Sequence, residues 1–312
     1  MIKRIVEISS AASLHLKLGQ MVIERKDEPP AQVPIEDLGV LVFGGNSISC
    51  SAALLAACAQ NNVAVVVSDD KHLPASLLLP LAANDTQTQA IEAQVKAPLP
   101  AQKRTWQKIV KAKVKGQAQT LAITGVENKM LLNLAEEVRS GDPKNIEAQA
   151  ARYYWPKLFG TDFRREREGE WPNAMLNYGY AVVRASVARA IVGAGLHPSI
   201  GLHHHNKYNP FTLADDLMEP LRPMVDLTAW SIWRNPPGAS NGDSEEQKLT
   251  KETKRAMLTL LTGKITIGGQ RQEFIPAMHW YAASLRRVYT ENGELEIPEW
   301  EALADTDPCG SC

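Results

Sequence analysis

Ala82-Ala83-Asn84-Asp85-Thr86-Gln87 is polar and has no hydrophobic period, and it separates two parts of the chain that repeat differently. Before it, Leu14-His15-Leu16-Lys17-Leu18 alternates apolar and polar residues, the period of a half-buried strand. Gly19-Gln20 fits a hairpin turn with glycine at its first central position, and Met21-Val22-Ile23-Glu24-Arg25 returns as the partner strand, stopped by Glu28-Pro29-Pro30. Val40-Leu41-Val42-Phe43, ended by Gly44-Gly45, and the β-branched run Val63–Val67 read as short buried strands, with a small-residue helix at Ala52–Gln60 between them. After the polar stretch the apolar spacing is helical almost to the end. The fold class is therefore α+β: a β-rich domain over 1–82, a linker at 83–88, a larger all-helical domain over 89–290, and an acidic tail over 291–312.

Composition fits that plan. A chain of 312 residues is long enough for two cores, and 44% apolar with 22% charged residues describes an ordinary globular protein. No apolar run reaches the roughly 18–20 residues of a membrane span, and Met1–Glu7 lacks the apolar core of a signal peptide, so a cytoplasmic location is expected. Cys50 and Cys58 lie in apolar segments and read as buried thiols; Cys309 and Cys312 form a lone C-x-x-C in a segment read as a disordered tail. The net charge of −1 conceals an asymmetry: residues 291–312 carry seven acids and no Lys or Arg, which leaves 34 bases against 28 acids, +6, on residues 1–290. A basic body with an acidic tail permits a nucleic-acid partner. The amphipathic segment Lys103–Lys115 is densely basic, and Arg164, Arg165 and Arg167 follow in a second charged stretch. Lys103, Arg104, Lys108, Lys111, Lys115 and those three arginines are the candidate phosphate contacts, against the ordinary reading of a solvated helix face.

Chemistry concentrates in Gly201-Leu202-His203-His204-His205 and the helical Leu213–Arg222 that follows. Asp216 and Glu219 are three apart and share a helix face. A histidine from the preceding turn can meet them, and one imidazole with carboxylates can hold a divalent cation; the oxygens favour magnesium or manganese. Asp142-Pro143 reads as a helix start, and the helix it opens places Glu147 beside Ala150, Ala151, Tyr154 and Trp155 on an inward face. A carboxylate there must be ion-paired or bind a cation. The sequence shows no Gly-rich phosphate loop and no G-x-S-x-G elbow.

Three separated segments, Asn145–Trp155, Leu176-Asn177-Tyr178-Gly179-Tyr180-Ala181, and His204 through Leu213-Ala214-Asp215-Asp216-Leu217-Met218-Glu219-Pro220, resemble in order and spacing the CRISPR-associated spacer-acquisition integrases, the "Cas one" family, in the form found beside type II systems. The resemblance implies metal ligands and catalytic residues at Glu147, His204 and Glu219, with Asp216 in reserve. It implies a magnesium or manganese cofactor and a homodimer formed through the β-rich domain. It implies a small bridging partner, the "Cas two" protein, and a DNA partner comprising the prespacer fragment and the CRISPR repeat. The activity implied is insertion of new spacers by 3′-hydroxyl attack on a phosphodiester, or DNA cutting with water as nucleophile. Two rivals stand beside it. A small-molecule metallohydrolase needs no basic surface such as Lys103–Lys115, and a non-catalytic DNA-binding assembly subunit on the same fold would lack a ligand, whereas all three are present.

Overall fold

The computed structural model describes residues 3–69, 74–166, 169, 171–236 and 249–301. The N-terminal part runs β1 (Arg4–Ile8), β2 (Ala12–Lys17), β3 (Gln20–Glu24), β4 (Ala31–Pro34), β5 (Leu38–Phe43), β6 (Ile48–Cys50), α1 (Ala52–Gln60), β7 (Ala64–Ser68) and β8 (Pro74–Leu78). The remainder runs α2 (Gln87–Val95), α3 (Leu99–Ile123), α4 (Lys129–Glu137), α5 (Ile146–Phe159), α6 (Asn173–Gly193), α7 (Thr212–Met218), α8 (Arg222–Arg234), α9 (Lys251–Leu258), β9 (Lys264–Ile267), β10 (Gln270–Glu273), α10 (Phe274–Thr290) and β11 (Glu299–Trp300). The α+β order expected from the change of period is the order observed.

Two four-stranded sheets face each other in the N-terminal part, with orders β1-β5-β7-β8 and β4-β3-β2-β6. Between them Ile8, Leu14, Met21, Leu41, Leu54 and Val65 form one core. The opposite face of the first sheet, Val40, Val42, Ala64 and Val66, is buried in the core of the helical part. That double burial is why β5 and β7 are apolar at nearly every position, as strands covered on both faces must be. The β2–β3 hairpin closes through Leu18 and Gly19, because Lys17 pairs with Gln20. Both turn residues have positive φ, 50° and 73°. Glycine is thus the second central residue of the turn and not the first, and Leu18 is the strained one.

Within the helical part the sequence reading missed a small sheet, order β10-β9-β11. Its hairpin turns at Gly268-Gly269, both at positive φ, after the alternating Lys264-Ile265-Thr266-Ile267. Alternation followed by two glycines is a hairpin signal; it was overlooked between two helical segments. Another correction concerns α5, which starts at Ile146 and not at Pro143: Asn145 occupies the N-cap at positive φ. Asp142 still caps the helix, accepting the N–H groups of Ile146 at 2.8 Å and Glu147 at 3.0 Å. Cys58 is buried and its thiol is pushed up to about 11 by burial, whereas Cys50 is half-buried. The Cys309–Cys312 tail falls outside the described residues. Among the described residues no helix is long and apolar enough to cross a membrane.

Candidate metal centre and its basic cleft

Four elements converge where α3 crosses the helical part. The inward stripe of α3 is Trp106, Ile109, Val110, Lys113, Val114 and Gln117, all buried. Lysine is out of place in such a stripe unless it is paired. It is paired twice: Lys113 Nζ lies 2.6 Å from Glu147 Oε1 on α5 and 2.5 Å from Glu219 Oε2, in the 3-10 turn Glu219–Leu221 between α7 and α8. The Lys113 and Glu219 side chains are only 9% and 4% exposed, so the pair is held away from water. Glu219 Oε2 makes no hydrogen bond of good angle despite its burial, and its other oxygen, Oε1, lies 3.1 Å from Arg222 Nε. Burial opposes the charge on both sides of this ion cluster. The neighbouring charges outweigh it: Arg222 and Lys113 hold the Glu219 carboxyl below its usual range, and Glu219 and Glu147 hold the Lys113 ammonium above its ordinary value.

The histidine triplet reaches the same place from the loop between α6 and α7. His204 Nδ1 lies 2.5 Å from Asp216 Oδ1. Asp216 is fully buried, and its Oδ2 accepts the backbone N–H of Leu202 at 2.7 Å and of His203 at 3.0 Å. One carboxylate therefore ties the loop to α7 and fixes the His204 ring, the arrangement that usually orients a metal-binding imidazole. The Asp216 hydrogen bond raises the His204 ring above its ordinary value against burial. His203 instead stacks flat on Trp106, centroids 4.4 Å apart and planes 3° from parallel, while His204 meets the same indole edge-on at 5.4 Å. A Cβ at Gly201 would collide with the His204 carbonyl oxygen and crowd Asp216, so the loop closes tightly only because glycine stands there. Asp216, taken from sequence as a reserve ligand, thus spends its oxygens on the loop and on His204.

Glu147, His204 and Glu219 are brought into one electrostatic neighbourhood, each carboxylate acting on the His204 ring. As a donor set, one imidazole and two carboxylates suit magnesium or manganese. Between the carboxylates a cation is already favoured, since the Lys113 ammonium sits there. Among the described residues no three His, Cys, Asp or Glu side chains stand close enough together to enclose an ion as they are placed. The residues fit a divalent cation in kind, and the Lys113 ammonium lies between the two carboxylates.

Beside Glu219 opens a cleft of about 470 Å³ lined by Arg165, Arg184, Arg222, Asn177, Tyr180 and Asn209, among others. Arg165 and Arg222 both lie over the Tyr180 ring, at 5.2 and 4.9 Å from its centroid. Tyr180 and Tyr154 in turn donate their hydroxyls to buried Asp226, the latter at 3.1 Å. Burial pushes the Asp226 carboxyl up to about 6 in spite of those two hydrogen bonds. The folded state therefore holds a proton on Asp226 that the unfolded chain, titrating near 3.8, has already lost. Stability should fall as pH rises from about 4 to about 6, by up to about 3 kcal/mol, and stay level above. Asp226→Asn removes this term, so its stability relative to wild type, followed by urea melts at pH 4, 5, 6 and 7, should rise by about that amount; a difference flat with pH would refute it.

The other predicted contacts are scattered. Lys108 pairs with Glu294 at 2.8 Å, and Lys111 and Lys115 share Glu136 at 2.6 and 3.4 Å. Lys103 and Arg104 are exposed. Arg164 donates to the Thr161 and Phe163 carbonyls, and Arg165 to Asn173 and Asn177, facing the cleft. Arg167 lies outside the described residues. Lys113, Trp106 and Arg222 were missed as site residues.

The model of the family described as CRISPR associated protein Cas1 matches residues 6–262, and the chain belongs to that family. It is 35% identical over 296 residues to the CRISPR-associated endonuclease Cas1 of Neisseria meningitidis serogroup C (strain 8013), across 94% of each chain. Its fold resembles a casposase bound to integration product, with a TM-score of 0.77 at 21% identity over 97% of this chain and 96% of the other. It also resembles a chain in a Cas6-RT-Cas1–Cas2 complex, with a TM-score of 0.72 at 16% identity over 97% of this chain and 36% of that one.

Proposed function

We propose that this chain is a metal-dependent DNA integrase and endonuclease that inserts new spacers into a CRISPR array. The observation that carries the reading is the bridging of Glu147 and Glu219 by Lys113, with His204 in the same electrostatic neighbourhood and an arginine-lined cleft beside Arg222. Glu147, His204 and Glu219 would hold magnesium or manganese, which when bound polarises a phosphoryl oxygen and stabilises the attacking or leaving oxygen of a phosphodiester. The chain's own residues supply the rest. Asp216 keeps the His204 ring oriented, with Nδ1 turned inward. Arg222 and Arg165, stacked on Tyr180, bind the phosphate that flanks the reacting one, since guanidinium suits phosphate oxygens. No side chain serves as a covalent nucleophile; a DNA 3′-hydroxyl gives strand transfer and water gives cutting.

Residues 1–82 form a dimerising β domain and 89–290 the catalytic domain, joined at 83–88. A Cas2-type protein bridges two such dimers on DNA in the cytoplasm, a partner supported by the complex in which a related chain is named. The alternative, a non-catalytic DNA-binding subunit on this fold, is disfavoured by the complete donor set. The test is transfer of a short duplex into a plasmid with manganese or magnesium, and with chelator. Activity should need the metal and be lost in His204→Ala but kept in His205→Ala, whose ring has no contact with Asp216. Loss in His205→Ala with full activity in His204→Ala would move the ligand by one position, and activity in chelator would remove the metal from the mechanism.

A further inference from the structure

We infer that Lys113 is a built-in counter-cation that holds Glu147 and Glu219 together before a divalent ion arrives and must leave them for the ion to bind. The inference rests on the metal reading above and adds a positioning residue to it. Among the described residues Lys113 is one of two buried lysines, with Lys254, and it touches both carboxylates at 2.6 and 2.5 Å. Those two oxygens already share one cation, the ammonium. A magnesium–oxygen bond is only about 2.1 Å long, so an ion that bridges the same two oxygens would draw them in around the place Nζ now fills and displace the ammonium. Without any cation there, two carboxylates would face each other with Glu219 held away from water, which is a costly arrangement. Arg222 cannot serve in its place, because its Nε approaches Glu219 from the other oxygen and stays on the cleft side.

The helix makes the exchange possible. Lys113 is anchored on the rigid apolar stripe of α3, yet its stem is four flexible methylenes long, so Nζ can withdraw while the backbone stays packed. The site thus alternates between two neutralising cations, one carried by the chain and one from solution. Competition of this kind lowers the apparent affinity for the ion by the fraction of molecules in which the ammonium remains seated. It also keeps the metal-free protein folded around a preformed carboxylate pair.

The experiment uses the intact protein with Mn²⁺ alone as probe. Acetic anhydride labelling with mass-spectrometric readout reports Lys113 directly: protected without metal, labelled severalfold faster at saturating Mn²⁺, while Lys103 is unchanged. In parallel, Mn²⁺ binding is followed by the loss of the free-ion electron paramagnetic resonance signal in wild type, Lys113→Met and Glu219→Gln. Lys113→Met should bind Mn²⁺ about tenfold or more tighter than wild type, and should melt lower than wild type without metal but gain more from Mn²⁺. Unchanged protection of Lys113 at saturating Mn²⁺, or equal or weaker binding by a folded Lys113→Met, overturns the inference. The labelling arm decides even where Lys113→Met does not fold. Failure of the metal reading itself looks different: wild type would not bind Mn²⁺, or Glu219→Gln would bind it equally well.

Discussion

Glu147→Ala and Glu219→Ala should both lower strand transfer by about a thousandfold, yet only the second should clearly destabilise the protein. Loss of a group that stabilises charge in the transition state costs about a hundred- to a thousandfold, and these carboxylates are proposed to act together through one ion. Their structural duties differ. Glu147 is 22% exposed and pairs with one cation, Lys113, which keeps Glu219 when Glu147 is removed. Glu219 is 4% exposed and faces both Lys113 and Arg222. Truncating it leaves a buried ammonium with a single partner and a guanidinium with none at that oxygen, and breaking a buried pair costs about 3 kcal/mol or more. Plasmid strand transfer and chemical melts on the two variants would check this. A Glu147→Ala protein with more than a tenth of wild-type activity would sink the shared-ion reading; equal melting of the two variants would show that Glu219 is no keystone of the ion cluster.

The α+β order was legible because burial imposes a period. β5 and β7, buried on both faces, read as unbroken apolar runs, and β2 as alternation. The β9–β10 hairpin was missed because four residues of alternation between two helices resemble noise, although Gly268-Gly269 marked the turn. β1 was missed for a related reason: Arg4-Ile5-Val6-Glu7-Ile8 alternates only partly and was weighed as a leader and not as a strand, yet it pairs with β5 in parallel.

The candidate site was legible in Glu147, His204 and Glu219 and not in their surroundings. Glu147, His204 and Glu219 stood out through the family motif and through carboxylates on inward faces. Asp216 was visible as an acid on the same face as Glu219, but its tie to the Leu202 and His203 amides is a loop property that no spacing encodes. Lys113 did carry a signal. It is seven residues from Trp106, four from Ile109 and three from Val110, the apolar spacing of one helix face. Counting it among thirteen residues of basic surface hid the point that it faces inward, where a lysine demands acids. Trp106 reads as core, and only the fold brings the histidine loop over it.

Replacing Lys108, Lys111 and Lys115 together by alanine should weaken binding to all DNA sequences alike and flatten its salt dependence by up to about three units of log–log slope, each phosphate contact contributing roughly 0.9 on a duplex. The three lysines line the outer face of α3, on the side away from Lys113, and are partly to well exposed. In the free protein they are engaged with Glu294 and Glu136. Such surface pairs are weak and salt-screened, so a phosphate backbone, with higher charge density, can take the lysines from them. Lysine offers point charges and not a base-reading fork, so sequence preference should not change. The pairing adds a control that works in the opposite direction. Glu136 serves both Lys111 and Lys115, and Glu136→Gln removes their competitor without touching a base; it should tighten binding and steepen the slope. Salt titrations on two unrelated duplexes, with wild type, the triple variant and Glu136→Gln, separate the outcomes. A triple variant with the wild-type slope would mean that α3 turns a solvated face to water and that DNA follows the arginine cleft alone.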